Sequence, residues 1–261
     1  MVRRIGGSEV IDAGDHLVVR TATNPSFWWG NFVLVSGPSS LEAGLDAFRE
    51  TFPTAEHVAI GVDGTDGAIP PSAASLGMEP DVSSVLAAVS NRLAAPPPVE
   101  AQVRVMADDD DWEQLMELRM AEALSEGPAA ASGHEFQLAR VAEARTLSEE
   151  GHAALIGAFV GDRLVSSLGV VSDGSGLARY QHVLTAAEYR RRGFAGRLVV
   201  EGAEVAGERW HATEMVIVAD PEGPAIELYR SLGFIEVEWQ VQLQGSRAQS
   251  EPSGLCKHLG G

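Results

Sequence analysis

The chain has 261 residues, 45% of them hydrophobic and 21% charged, enough for one large domain or two modest ones with an ordinary core. Its 37 acidic residues against 19 basic ones leave a formal charge of -18, which argues against broad binding to nucleic acid and is compatible with a cationic amine substrate, though solubility explains it equally well. The single cysteine, Cys256, excludes an internal disulfide framework and a cysteine metal cluster, and no metal is expected. Arg3 and Arg4 have no apolar stretch behind them, and no run approaches the ~18 apolar residues of a membrane span. A reducing cytoplasm, no membrane contact and a monomer or homodimer are expected.

In the first half, Asp15 to Thr23 and the aromatic-rich Phe27 to Ser36 predict strands separated by a turn at Asn24-Pro25. Leu41, Leu45, Phe48 and Phe52 recur at near-helical spacing behind Ser40, a suitable N-cap, and Pro53 stops that helix. Glu56 to Val62 predicts a further strand. Val82, Val85, Leu86, Val89 and Leu93 also fall at helical spacing behind Asp81, which predicts a second helix. Pro96-Pro97-Pro98 cannot continue a helix and forms a stiff connector. The expected domain boundary lies there, giving domains 1–98 and 99–261. Trp28 and Trp29 suit the wall of a substrate cleft, though paired tryptophans more often serve core and interface.

In the second half, Val99 to Met106 predicts a strand, and Asp108 to Asp111 offers capping carboxylates for a helix carrying Trp112, Leu115, Met116 and Met120. A loop covers Ser125 to Gly133 and a helix His134 to Leu147. Ala153 to Val160 and Arg163 to Val171 predict a hairpin turning at Gly161-Asp162. Glu214 to Ala219 reads as a buried strand. Pro224 opens a short helix that Gly233 ends, and Ile235 to Gln244 alternates as a half-buried antiparallel strand.

The chemistry concentrates in Leu177 to Arg197. A strand-like run from Arg179 to Thr185 leads through a turn into Arg190, Arg191 and Arg192, then Gly193, Ala195 and Gly196. Leu198, Val199, Gly202, Val205 and Ala206 follow at helical spacing, so a helix begins at the glycines. Such a junction presents unpaired backbone N–H groups and the positive end of the helix dipole, a site for phosphate oxygens. Three adjacent arginines on so acidic a chain suit an anionic ligand; alone, such a run is also a solvated face.

Arg190-x-x-Gly193-x-Ala195 resembles the pyrophosphate loop of the GNAT superfamily of N-acetyltransferases, and AIELYRSLGF (Ala225 to Phe234) resembles its C-terminal motif, in which a tyrosine precedes Gly-Phe. The resemblance covers Val99 to Gln244. It implies an α/β (α+β) acyl-CoA N-acyltransferase fold, a mixed, mostly antiparallel sheet flanked by helices. It implies acetyl-coenzyme A as co-substrate, its pyrophosphate held by Arg190, Arg191, Arg192, Gly193, Phe194, Ala195 and Gly196. Its pantetheine arm would pair with the strand edge at Val183 and Thr185, where a backbone N–H can stabilise an oxyanion. Tyr229 would be the general acid for the departing thiolate; otherwise it is a half-buried helix aromatic. The asparagine often found near the start of the family's last helix is absent from Asp220-Pro221-Glu222-Gly223.

The implied reaction is direct attack by a primary amine of a small or amino-acid-like acceptor. Another acyl group or an alcohol acceptor, or a non-catalytic acyl-CoA sensor, stays open. Strand alternation puts His182 opposite Val183 and Thr185 and places Arg179 and Gln181 on their face, toward the acceptor. His134 and Glu135 are further candidate bases; none is assigned.

The halves also resemble each other. TAEHVAIGVD (Thr54 to Asp63) resembles ATEMVIVAD (Ala212 to Asp220), and AIPPSAASLGM (Ala68 to Met78) resembles AIELYRSLGF. Two tandem units are expected, the first degenerate: it lacks the arginine-glycine loop, and Ala73 stands where the second has Tyr229.

Overall fold

The computed structural model describes residues 2–25, 27–126 and 133–247. The helices are α1 (Val2–Ile5), α2 (Leu41–Thr51), α3 (Asp109–Glu126), α4 (His134–Glu149), α5 (Phe194–Trp210) and α6 (Pro224–Ser231). The strands are β1 (Glu9–Asp12), β2 (His16–Arg20), β3 (Phe32–Val35), β4 (His57–Val62), β5 (Glu79–Val89), β6 (Gln102–Val105), β7 (Ala153–Val160), β8 (Arg163–Ser172), β9 (Leu177–Thr185), β10 (Glu214–Ala219) and β11 (Ile235–Ser246). No helix among the described residues is long and apolar enough to cross a membrane. Cys256 and most of the expected loop between α3 and α4 lie outside the described residues.

Two expected elements differ. The segment from Val82 is a strand, because Val85 to Ala87 is buried on both faces and Ser84 to Val89 pairs with β10. A short apolar run of this kind fits either period, and here sheet pairing decides. The Phe27 strand begins only at Phe32, since Trp28–Gly30 forms one turn of 3-10 helix. The last strand is antiparallel as expected and its partner is β4, but Ile235 and Val237 are exposed and burial begins only toward Val241 and Leu243.

The chain forms two compact units, one of Ser84–Val237 with residues 2–7, the other of Ser8–Ser83 with residues 238–247. In the larger unit the strand order is β5-β10-β9-β8-β7-β6, with β9 and β10 parallel and every other neighbouring pair antiparallel. One face packs on α5 and α6 through Ile156, Val170, Leu198, Val199, Met215 and Tyr229. The other packs on α3 and α4 through Trp112, Leu115, Val141, Leu147, Leu155 and Val171. Asp108 accepts the Asp111 amide at 3.0 Å, the expected cap of α3. In the smaller unit the order is β1-β2-β3-β4-β11, with β3 and β4 parallel and α2 packed on them through Leu41, Leu45 and Phe48.

The partition falls inside β5 and β11 and not at Pro96–Pro98, which belongs to the larger unit. Topology explains the difference from the expected boundary. In the first half β3, α2 and a parallel β4 lead to a helical turn and then β5; in the second, β9, α5 and a parallel β10 lead to α6 and then β11. Both helical turns close on Ser-Leu-Gly with a left-handed glycine, Gly77 at φ +69° and Gly233 at φ +101°. Each half contributes its last strand to the unit built mainly from the other, β5 beside β10 and β11 beside β4.

Candidate active site

The site of the larger unit is built where two parallel strands part. β9 and β10 pair only at Leu177–Arg179 with Glu214–Val216. From Tyr180 onward β9 has no ladder partner on that side among the described strands, so its backbone edge is open. On its other side the β8 pairing shifts register between Gly169↔Gln181 and Ser167↔Leu184, and His182 takes φ +50°. That conformation is uncommon for a residue with a Cβ, and it marks a bulge that breaks the inside-outside alternation of the strand. Simple alternation therefore does not give the orientation of Gln181 and His182.

Beyond Thr185 the chain enters α5 through Gly193, whose φ of +88° requires glycine. No side chain caps this helix, so its first amides and its dipole face outward. Phe194 is buried against the core with its ring edge-on to Tyr189, so only its backbone faces the loop. Val99 lies 3.4 Å from a Cβ built on Gly193, and Leu228 and Pro96 lie 3.3 Å and 3.6 Å from one on Gly196. Gly196 is thus small partly because α6 and the proline stretch pack against this turn.

The three arginines are not equivalent. Arg190 donates from Nε to the Thr185 carbonyl at 3.1 Å and pairs with Glu122 of α3, so its guanidinium braces the turn. Arg192 lies over the Tyr189 ring, 5.1 Å from its centroid. Arg191 takes φ +60°, and it and Arg192 are exposed beside the helix terminus. Glu122 also lines a 340 Å³ cavity between α3 and the β9–α5 turn, with Gln114, Leu118, Ala186 and Ala187.

Tyr229 is buried on α6, edge-on to Phe234 at 6.2 Å between ring centroids. Burial pushes its phenol up to about 12, so it stays protonated at neutral pH.

On the α3/α4 face the bulge meets a group of arginines. His182, Gln181, Arg3, Arg119, Arg140 and Glu143 line a cavity of about 30 Å³. Arg140 donates to His182 Nε2 at 3.0 Å and pairs with Glu143, which leaves the imidazole neutral with its proton on Nδ1. Desolvation and then the Arg119, Arg140, Arg3 and Arg179 charges hold His182 below the ordinary histidine range, although the residue is exposed by its surface area. With Nε2 engaged it is a poor base. Burial lowers Arg3 and Arg119 to about 10 and lowers Arg179 as well.

Of the expected acceptor-side residues, Gln181 lines this cavity and Arg179 acts on it, whereas Trp28 and Trp29 belong to the smaller unit. There Trp28 stacks on His57 at 5.1 Å and lines a separate cavity. His134 and Glu135 are exposed at the start of α4. Arg3, Arg119, Arg140 and Glu122 were not anticipated. Arg119 follows Leu115 and Leu118, and Arg140 precedes Ala144 and Leu147, so each is a charge in an apolar helical stripe. That was the available signal.

Residues 112–234 match the model of the Acetyltransferase (GNAT) family. Among solved structures, a conserved protein of unknown function from Staphylococcus epidermidis is similar at a TM-score of 0.73 and 10% identity, over 92% of this chain and 94% of that one. A GCN5-related N-acetyltransferase from Kribbella flavida is similar at 0.64 and 16%, over 94% and 95%. A tandem GNAT protein from the clavulanic acid biosynthesis pathway is similar at 0.58 and 14%, over 97% and 89%. At such identities the likeness is one of fold. No curated protein sequence matches the chain.

Proposed function

We propose, from the match of residues 112–234 to the GNAT acetyltransferase family model, that the chain moves an acetyl group from acetyl-CoA to the primary amine of a small or amino-acid-like acceptor. The observation that carries this reading is the open β9 edge running into an uncapped α5 N-terminus flanked by Arg191 and Arg192. The helix amides and those two cations suit a pyrophosphate. Arg190 holds the turn in shape through Thr185 and Glu122. The unpaired backbone from Val183 to Thr185 suits an extended pantetheine amide chain.

Acetyl-CoA supplies an acyl carbonyl activated by a thiolate leaving group. A neutral amine attacks the carbonyl carbon, and a backbone N–H on the β9 edge takes the developing oxyanion. As the C–S bond breaks, the Tyr229 phenol gives its proton to the departing sulfur, and the amine nitrogen loses one to water. His182, engaged by Arg140, is left out of this transfer.

In the same reading the first half is a degenerate copy of the second. Support comes from the shared order of strand, helix, parallel strand, helical turn and final strand and from the left-handed glycines at Ser-Leu-Gly. Buried Ala73 in place of buried Tyr229 marks the copy without the acid. Residues up to Pro98 then form one ancestral copy and residues from Val99 the other.

Calorimetric titration with acetyl-CoA tests the reading, repeated on the Arg191→Ala, Arg192→Ala double variant. The expected result is micromolar binding, weakened at least ~10-fold by loss of the two charges. No binding in the millimolar range sinks the proposal. Binding with no thiol release across an amine panel reduces the chain to a CoA-binding module.

A further inference from the structure

The arginine cavity is unusual for a chain with a formal charge of -18. Four guanidinium groups, those of Arg3, Arg119, Arg140 and Arg179, act on one spot, and Glu143 is the carboxylate acting among them. Guanidinium does not give up its proton at neutral pH, so the cavity is cationic. Arg119 is only 7% exposed, and among the described residues its Nη1 has no hydrogen-bond partner; neither has the buried Nε of Arg179. An unpaired buried donor on a charged group is costly, and an anion in the cavity would satisfy that of Arg119, which lines it.

The architecture also supplies a door and a size limit. His182, at the bulge, lines the cavity and is itself exposed. The cavity is about 30 Å³, room for a group of carboxylate size and too little for a whole substrate. It sits on the α3/α4 face, among Leu147, Leu155 and Val171, away from the α5 terminus assigned to the pyrophosphate. Along β9, Gln181 on the cavity wall is two residues from Val183 at the proposed transfer edge, across the bulge at His182. That spacing suits an amine separated from its anion by a few bonds.

We propose that this cavity is the anchor for a carboxylate of the acceptor, so that the substrate is an amine that also carries a carboxylate. The proposal rests on the acetyltransferase reading for the word acceptor, but the cavity's own chemistry is separable from it.

The test is made on the protein without acetyl-CoA. Calorimetric titrations at fixed ionic strength use acetate, glycine and 4-aminobutyrate against methylamine and ethylamine, with inorganic phosphate as a further arm. Saturable binding of the carboxylates, with no response to the plain amines, is expected. Arg119→Met should weaken carboxylate binding at least ~10-fold while raising the Tm of the ligand-free protein, because it removes an uncompensated buried cation. Arg179→Gln should weaken it in the same direction. The proposal falls if carboxylates do not bind in the millimolar range, if phosphate binds and they do not, or if neither variant changes their affinity. A lowered Tm in Arg119→Met also overturns it, since that marks a structural arginine. Acetyl-CoA binding is a separate titration, so failure of either reading leaves the other's result distinct.

Discussion

The Tyr180 hydroxyl donates a 2.6 Å hydrogen bond to the Val199 carbonyl, tying the strand where the cleft opens to the second turn of the helix beside it. Gly202 makes the approach possible: a Cβ there would lie 2.8 Å from Tyr180 Cε1 and 3.0 Å from Val170 Cγ2. Gly202→Ala should therefore push helix and strand apart and cost about 1–3 kcal/mol, read as a lower Tm. Tyr180→Phe keeps the shape and should cost only about 1 kcal/mol. Equal effects of the two changes would contradict this account.

Tyr229→Phe isolates the phenol proton. Packing against Phe234 survives the change, so acetyl-CoA affinity should hold while kcat drops by ~10² or more. Burial raises this phenol from 10.0 to about 12. Its contribution to stability is therefore complete below pH 10.0 and disappears as pH rises through about 12. Ultraviolet titration of phenolate absorbance should lose one of two late-ionising tyrosines in Tyr229→Phe, because burial raises the Tyr180 phenol as well.

Arg104 donates two 2.6 Å hydrogen bonds to Asp111, which also accepts the Ala107 amide at 2.8 Å. These interactions, the Arg104 bond first, lower the Asp111 carboxyl below its ordinary 3.8. The stabilisation is present above pH 3.8 and is lost as pH falls through the lower folded value. Asp111→Ala should cost about 1–2 kcal/mol at neutral pH, since it removes the hydrogen bonds of a buried carboxylate while Arg104, a third exposed, regains water. Its Tm should fall less steeply than that of wild type on acidification.

Glu122→Gln should barely alter stability, by about 0.5 kcal/mol, because the Arg190 pair is partly solvated. Freed from α3, Arg190 should hold the β9–α5 turn less firmly, weakening acetyl-CoA severalfold in calorimetry. An unchanged affinity would show that the Thr185 carbonyl alone braces the arginine.

Much of the larger unit was legible because its signals were local. Pro224 and Gly233 bound α6, and Gly193 with the following apolar spacing places the start of α5. The β5 segment was not legible, since Val82, Val85, Leu86 and Val89 satisfy a helical spacing and a doubly buried strand equally. Only the distant pairing with Met215 to Ala219 decides between them. The arginine cavity escaped for a similar reason. Arg3, Arg119, Arg140 and Arg179 come from α1, α3, α4 and β9, and no spacing rule joins four elements. The bulge at His182 likewise depends on its β8 partner.

The crossed final strands bear on how this chain comes into being. β4 waits for a neighbour, Val241 to Ser246, that is synthesised long after it, so until then the first half has an unsheltered sheet edge. Pairings of such sequence separation slow folding and expose nascent chains to wrong partners, including the matching strand of a neighbouring copy. A truncation after Pro98 would keep β5 but leave β4 unpaired on that side, and the remaining fragment would lack β5 beside β10. Co-expressed as separate polypeptides, the two fragments should recover each other, with neither soluble by itself.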